Sequence, residues 1–230
     1  MLFNDDFDQL ALDFYSQYYG DKLNQKDKKW IYTHKNNDID VAGDVCFNLN
    51  LKNGKFYTFF GSIIQDEEIF DELESLLGKM RYSPMNISIM PRTGGLNNIK
   101  KAFGNDRFDT FAWLVNLYYE GVQTPIINAG ALNMKVSNRI QLKKFLDSYE
   151  DVYDYYSDVY KIDKTLTGKL VCHGQCLIIH KVDVYKHIEL ALDFWEVRMS
   201  QKEISQVIKQ SDVEFNKVIG EIRRLISKKL

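Results

Sequence analysis

The feature that most constrains this chain is the run from Ile87 to Gly121, where an apolar strand, a glycine-bearing loop and a helix apolar on nearly every side follow one another. Ile87, Ile89 and Met90 lead into Pro91, the pattern of a buried strand running out into a loop. Beyond the loop, Asn105 or Asp106 can cap a helix in which Phe108, Phe111, Ala112, Val115, Tyr118 and Tyr119 recur at three- and four-residue spacing. Trp113, Leu114 and Leu117 fill its other faces. A helix with so little polar surface has to be covered on most sides, so it is the expected centre of the core.

The remaining elements are read around that helix. Asp5 or Asp6 caps a first helix with Phe7, Leu10, Phe14 and Tyr18 on one stripe, and Gly20 closes it. The run 21–29 reads as a loop and Trp30 to Thr33 as a short strand. Asn36, Asp38 and Asp40 look superficially like a calcium loop, but Val41 stands where the turn glycine belongs and no glutamate closes it. Asn53-Gly54 is the preferred pair for a type I′ hairpin turn, which sets Leu51 opposite Phe56, Leu49 opposite Thr58 and Phe47 opposite Phe60. Ile69, Leu73, Leu76 and Met80 form the buried stripe of a helix over 66–78.

In the second half, Leu142, Phe145, Tyr149, Val152, Tyr156 and Val159 keep helical spacing without a break and predict one helix over 138–160. Asp147, Asp151, Asp154 and Asp158 then make an acidic stripe, read as a solvated face, with a partner- or cation-binding face as the alternative. Leu170 to Val182 is β-branched enough to predict a strand, and from Val184 onward the chain reads as helical. The expected class is α+β: an antiparallel sheet from 29–35, 45–63, 85–91 and 169–182, a central apolar helix and a helical C-terminal region. Residues 1–182 form the expected core domain and 183–230 a helical appendage.

With 45% hydrophobic and 27% charged residues over 230 positions, the chain can bury a sizeable core, and disorder is not expected. A net charge of −2 gives no global attraction to polyanions, so any nucleic-acid contact has to come from a local basic patch or from the C-terminal helices. Three cysteines, an odd set, with no signal peptide and no long apolar run point to a soluble, reduced, cytoplasmic protein without a membrane partner.

Two constellations can carry chemistry. Between Arg92 and Lys101, Gly94 and Gly95 permit close backbone approach while Arg92, Lys100, Lys101 and Arg107 supply cations, an expected anion-binding patch that is neither a Walker A loop nor a dinucleotide fingerprint. The plainer alternative is a tight strand-to-helix connection, with Arg107 paired to Asp106 or Asp109 on the surface. The second constellation is Cys172, Cys176 and His180, with His187 as a fourth ligand, which invites zinc. On a strand, however, residues four apart lie about 13 Å from each other, and on a helix they climb about 6 Å per step, so that Cys172 to His180 is too wide for one ion in either and zinc would need a bend at Gly174. Asp106 and Asp109 can share a helix face and hold a divalent cation, but no third carboxylate completes a known pattern. No catalytic residue, no metal site and no cofactor is predicted.

Two resemblances add to this. Thr93-Gly94-Gly95-Leu96-Asn97-Asn98-Ile99-Lys100-Lys101, with Asp106-Arg107-Phe108-Asp109 and Tyr118-Tyr119, resembles a group of uncharacterised bacterial and phage-associated proteins over residues 85–165; that group has no named activity to transfer. Met199 to Ile219 resembles the helix-turn-helix of bacterial transcription regulators, except that Ser205 stands for the small Ala, Lys209-Gln210 replace the turn, and Asp212 and Glu214 open the would-be recognition helix. The leading expectation is a non-enzymatic intracellular binding protein acting on a protein or nucleoprotein partner, in phage–host conflict, with its many aromatics as contact anchors. An enzyme acting on a phosphate-containing substrate is the alternative, and a helix-turn-helix DNA-binding regulator the second.

Overall fold

The computed structural model describes residues 15–51, 67–92, 100, 108–122, 140–179, 184–201 and 212–228. Its sheet is antiparallel throughout, in the order β1 (Leu23–Lys26), β2 (Lys29–His34), β3 (Asn37–Val45), β4 (Ile87–Pro91). Around it lie α1 (Glu67–Arg81), α2 (Phe108–Tyr119), α3 (Ile140–Leu146), α4 (Val152–Val159), α5 (Lys164–Ile179), α6 (Val184–Met199) and α7 (Asp212–Ser227). This is an α+β fold with a central apolar helix and a helical C-terminal region, as expected. No helix among the described residues is long and apolar enough to cross a membrane.

The sheet begins earlier than the sequence suggested. Residues 21–29, read as a loop, contain β1, and the false calcium loop is the start of β3. Both are joined by two-residue turns, Asp27-Lys28 and Lys35-Asn36, with φ of 49° and 62° in the first and 45° and 64° in the second. Positive φ at both central positions is the requirement of a type I′ hairpin, met here without glycine. The Asn53-Gly54 turn lies outside the described residues. On its approach, Phe47, Leu49 and Leu51 are buried, but residues 46–51 are not in a strand, so of the expected 45–63 strand region only Val45 is seen in the sheet among the described residues.

Two other expectations change. The predicted helix over 138–160 is broken into α3 and α4, because Asp151 takes an extended conformation and its carboxylate accepts from the Asp154 amide at 2.7 Å, capping a new helix. Residues 169–182 were expected as a strand, yet α5 runs through 164–179. Asp163 caps it, its carboxylate accepting from the Leu166 amide at 2.7 Å, and the packing of α5 on α2 overrides the β-branched content.

As predicted, α2 is central: Phe108, Phe111, Ala112, Leu114 and Val115 are buried, with rings from α4 and α6 around Phe108. α6 belongs to the same hydrophobic core, with Ile188, Leu192, Phe194 and Trp195 fully covered. Asn86, also fully buried, joins three parts of the chain. Its carbonyl oxygen accepts from the Phe47 amide and from Trp195 Nε1, both at 3.0 Å, while its amide group donates to Phe47 O at 2.7 Å and Arg81 O at 2.9 Å. α7 lays Val218, Ile222 and Leu225 against α1 and α6. The turn of the helix-turn-helix resemblance, within 202–211, lies outside the described residues.

The acidic stripe is a solvated face only in part: Asp147 is exposed, while Asp158 is largely buried. Asp147 pairs with Lys143 and accepts from Tyr118 Oη at 2.5 Å, and Asp154 accepts from the Glu150 amide at 3.1 Å. Asp158 is a staple between α4 and the sheet: it accepts from Lys22, from Tyr32 Oη at 2.8 Å and from Tyr149 Oη at 3.1 Å, with His34 Nδ1 at 2.9 Å and Lys161 Nζ at 3.6 Å. Burial raises its pKa, but the hydrogen bonds of Lys22 and Tyr32 and the charges of Lys161 and Lys22 outweigh burial and hold the carboxyl at about 2. Burial also keeps the His34 imidazole below its ordinary pKa despite Asp158, so the ring is neutral at pH 7.

A carboxyl whose folded pKa is depressed stabilises the fold above its unfolded value of about 4, and that contribution is lost as pH falls through about 2. Denaturant titrations at a series of pH values are expected to show wild type losing on the order of 1–2 kcal/mol more than Asp158→Asn over this window. Equal acid sensitivity in the two proteins would remove Asp158 from this role.

Candidate functional site

The site is built by a close helix crossing. α5 meets the first turn of α2 at Gly174, where an added Cβ would lie 2.6 Å from the Asp109 carbonyl carbon and 2.9 Å from Thr110 Cα. Only glycine allows that approach without displacing backbone. The neighbouring residue, His173, is thereby set against the Asp109 side chain, with Nδ1 2.7 Å from Oδ2. α6 brings His187 from a third direction. Its Nδ1 is 3.7 Å from the same oxygen, and its ring lies nearly parallel to that of His173, 21° apart with centroids 5.9 Å apart.

Asp109 and His187 are 0% and 1% exposed and His173 is 15% exposed, so the trio is nearly dry. One ligand atom from each of the three lies within 4.8 Å of the others. Two ligands about 2.1 Å from one ion are roughly 3.0 Å apart at a right angle and roughly 3.4 Å apart at the tetrahedral angle. The observed 2.7 and 3.7 Å bracket those values. The second spacing is also too long for a hydrogen bond. Two imidazoles and one carboxylate are a donor set for zinc or another first-row dication.

No known protein family, curated protein or solved structure matches this chain. Its chemistry has to be read from the site alone. Beside the trio lies a cleft of about 600 Å³ between α5 and α6, lined by Lys169, Cys172 and His173 on one side and Lys186, Glu189 and Asp193 on the other. His173 is the wall shared by cleft and trio. Its Nε2 is buried and has no hydrogen-bond partner among the described residues.

The residues singled out in the sequence are distributed differently. Asp109, expected on the surface beside Arg107 or sharing an ion with Asp106, is buried and faces His173 and His187. Of the zinc candidates, Cys172 is exposed on the cleft, His187 joins the trio, and His180 and the Cys176 side chain lie outside the described residues. Lys100, placed in the anion patch, is fully buried and paired with Asp44 and the Val45 carbonyl, so its charge serves the core. Arg92 is half exposed and stands 3.8 Å from Asp40. Gly94, Gly95, Lys101, Asp106 and Arg107 lie outside the described residues. Cys46 is buried, which pushes its thiol up to about 12 and leaves it protonated and inert.

His173 was missed because 169–182 was read as a strand. A signal for the helix was present: Asp163 followed by Leu166 and Thr167, a capping residue three positions ahead of helical spacing.

Gly174→Ala is expected to cost about 1–3 kcal/mol, a fall in melting temperature of roughly 3–10 °C, because the new methyl meets backbone and not a side chain that could swing away. Gly220→Ala, at a position with open space around it, is the control and should leave the temperature unchanged or slightly raised. Indistinguishable melting of the two variants would show that the crossing is looser than described.

Proposed function

We propose that the protein is a divalent-metal-dependent ligand-binding protein, holding a first-row transition ion among α2, α5 and α6 through Asp109, His173 and His187, with its ligand seated in the adjoining cleft. The observation that carries this is the convergence of two imidazoles and a carboxylate from three helices onto one nearly dry point, at spacings suited to ligands of a single ion. The cleft beside it is of a size that takes a small molecule.

This reading keeps the metal of the phosphate-enzyme alternative, with Asp109 as its carboxylate, and moves the site away from the Arg92 loop. The partner-binding expectation drew on aromatic content. Among the described residues the rings are largely in the core, with Tyr82 the exposed exception, which shifts weight from an aromatic docking face to the cleft.

Chelator-treated protein titrated with zinc or cobalt is expected to retain about one equivalent by elemental analysis. At one hundred times the dissociation constant the ion adds about 2.7 kcal/mol, or roughly 5–10 °C in melting temperature. Asp109→Asn and His187→Gln should abolish both effects. Protein that neither retains nor responds to any dication would make the trio a hydrogen-bonded packing cluster and end this reading.

A further inference from the structure

We propose that the α5–α6 cleft binds a small zwitterion of the α-amino-acid type with an apolar side chain, its carboxylate on the Lys186 ammonium and its ammonium group on the Glu189 carboxylate. The inference rests on the cleft as the ligand seat of the reading above, names the class of that ligand, and does not depend on the ion.

α5 and α6 run antiparallel where they enclose the cleft: Lys169 meets Asp193 at 2.9 Å at one end, and the His173 ring lies beside that of His187 at the other. On α6 the lining positions Lys186, Glu189, Leu190 and Asp193 recur at three- and four-residue spacing, which is one face of a helix. Lys186 and Glu189 stand nearer the histidine end. The rest of the lining is mainly apolar, with buried Leu190 on one wall and Gly168 and the exposed Cys172 on the other. Small-molecule sites are built in this way, as an apolar body with a few polar groups that fix the ligand's orientation.

Two ammonium groups and two carboxylates border this space, and one of each already match. Lys169 is neutralised by Asp193, which also meets Arg223 at 3.1 Å. Lys186 and Glu189 remain, and neither makes an ion pair among the described residues, even with the other. Residues three apart on a helix have Cβ atoms about 5–6 Å from each other, and Lys ahead of Glu is the weaker order for a direct pair. A simple anion on Lys186 would be repelled by Glu189, and a simple cation on Glu189 by Lys186. A molecule with both charges on neighbouring atoms satisfies the two together. Lys186 lies in the first turn of α6, where the helix adds positive potential, so the carboxylate belongs there and the ammonium group one turn further on. The ligand's side chain then lies along Leu190 and Cys172, and a cleft of about 600 Å³ has room for it.

The test is calorimetric titration of the full chain with L-leucine and L-phenylalanine, with glycine, and with analogues that lack one charge: isocaproate and isoamylamine for leucine, hydrocinnamate and phenethylamine for phenylalanine. The better of the two amino acids is expected to bind at least roughly tenfold more tightly than glycine or either of its own analogues. Lys186→Ala should weaken it roughly tenfold and leave it nearly equal to its amine analogue, and Glu189→Gln should do the same relative to its carboxylate analogue. Lys186 is exposed and Glu189 half-buried, so both variants are expected to fold, and an unchanged melting temperature checks this. Neither amino acid saturating the protein, glycine binding as well as both, or affinity indifferent to both substitutions overturns the proposal. A carboxylate analogue as tight as its parent makes the occupant an anion, an amine as tight makes it a cation, and either result overturns the zwitterion. Elemental analysis of the same samples separates the two readings. Metal held by protein that takes no amino acid overturns this inference alone, whereas amino-acid binding with the expected substitution effects in protein that holds no metal supports it and removes the metal.

Discussion

The contact between Gly174 and the backbone of Asp109 and Thr110 is the constraint on which the functional half of the molecule depends. Interiors are close-packed, and a helix pair joined at backbone distance leaves no room for either helix to rotate or slide independently. That fixes which residue of α5 faces the first turn of α2, and His173 is the residue so placed. The same crossing brings α6 within reach, because α5 and α6 enclose the cleft between them and His187 reaches the site from the first turn of α6. A site of this kind needs no loop to hold its ligands. All three stand on helices whose relative positions are set by packing, which favours the fixed geometry that ion coordination requires.

Burying polar groups is costly unless each is satisfied, and this core contains several. Asn86 uses both its donors and accepts twice, tying the segment at Phe47, the end of α1 and Trp195 of α6 to one point. Lys100 is matched by Asp44 and a carbonyl. Arg198 is the harder case: fully buried, it donates from Nη1 to Ile87 O at 2.7 Å and lies 5.2 Å from the Phe194 ring centroid. Its Nε and Nη2 have no hydrogen-bond partner among the described residues. Arg198 thus ties α6 to β4, and Asn86 ties α6 to the segments on either side of α1, so α6 is held by specific polar contacts as well as by apolar burial.

Periodicity made the apolar framework legible and left most of the polar framework hidden. α2, α1, β2 and β4 follow from spacing alone, because an all-round apolar helix or a β-branched run before proline has few alternative placements. The β1–β2 and β2–β3 hairpins were not legible because their type I′ turns are built from Asp27-Lys28 and Lys35-Asn36, where no glycine announces positive φ. α5 was read as a strand since Val171, Leu177, Ile178 and Ile179 satisfy β propensity, and only its packing on α2 decides otherwise. Of the trio, Asp109 stood out as a carboxylate at a helix start, and His187 as a fourth ligand for zinc. His173 could not be joined to them, because the pairing depends on a crossing between elements more than sixty positions apart in the chain, 64 for Asp109 and His173.

The molecule holds two histidine–aspartate pairs of nearly equal geometry, and comparing them explains why one is treated as a staple and the other as a site. His34 and Asp158 are 2.9 Å apart, His173 and Asp109 2.7 Å apart, and in each pair Nε2 of the histidine is buried without a hydrogen-bond partner among the described residues. The difference lies in the surroundings. Asp158 is saturated by Lys22, Lys161, Tyr32 and Tyr149, and His34 is stacked on Tyr149 at 3.9 Å, so the carboxylate's charge is already matched by ammonium groups. A cation brought there would have to displace those ammonium groups. Asp109 is within reach of two imidazoles, which offer lone pairs when neutral, and stands next to a cleft that a ligand can enter. The same pair chemistry thus closes a structural lock at Asp158, while at Asp109 a second imidazole and a cleft adjoin the pair, which is the setting on which the proposed metal site rests.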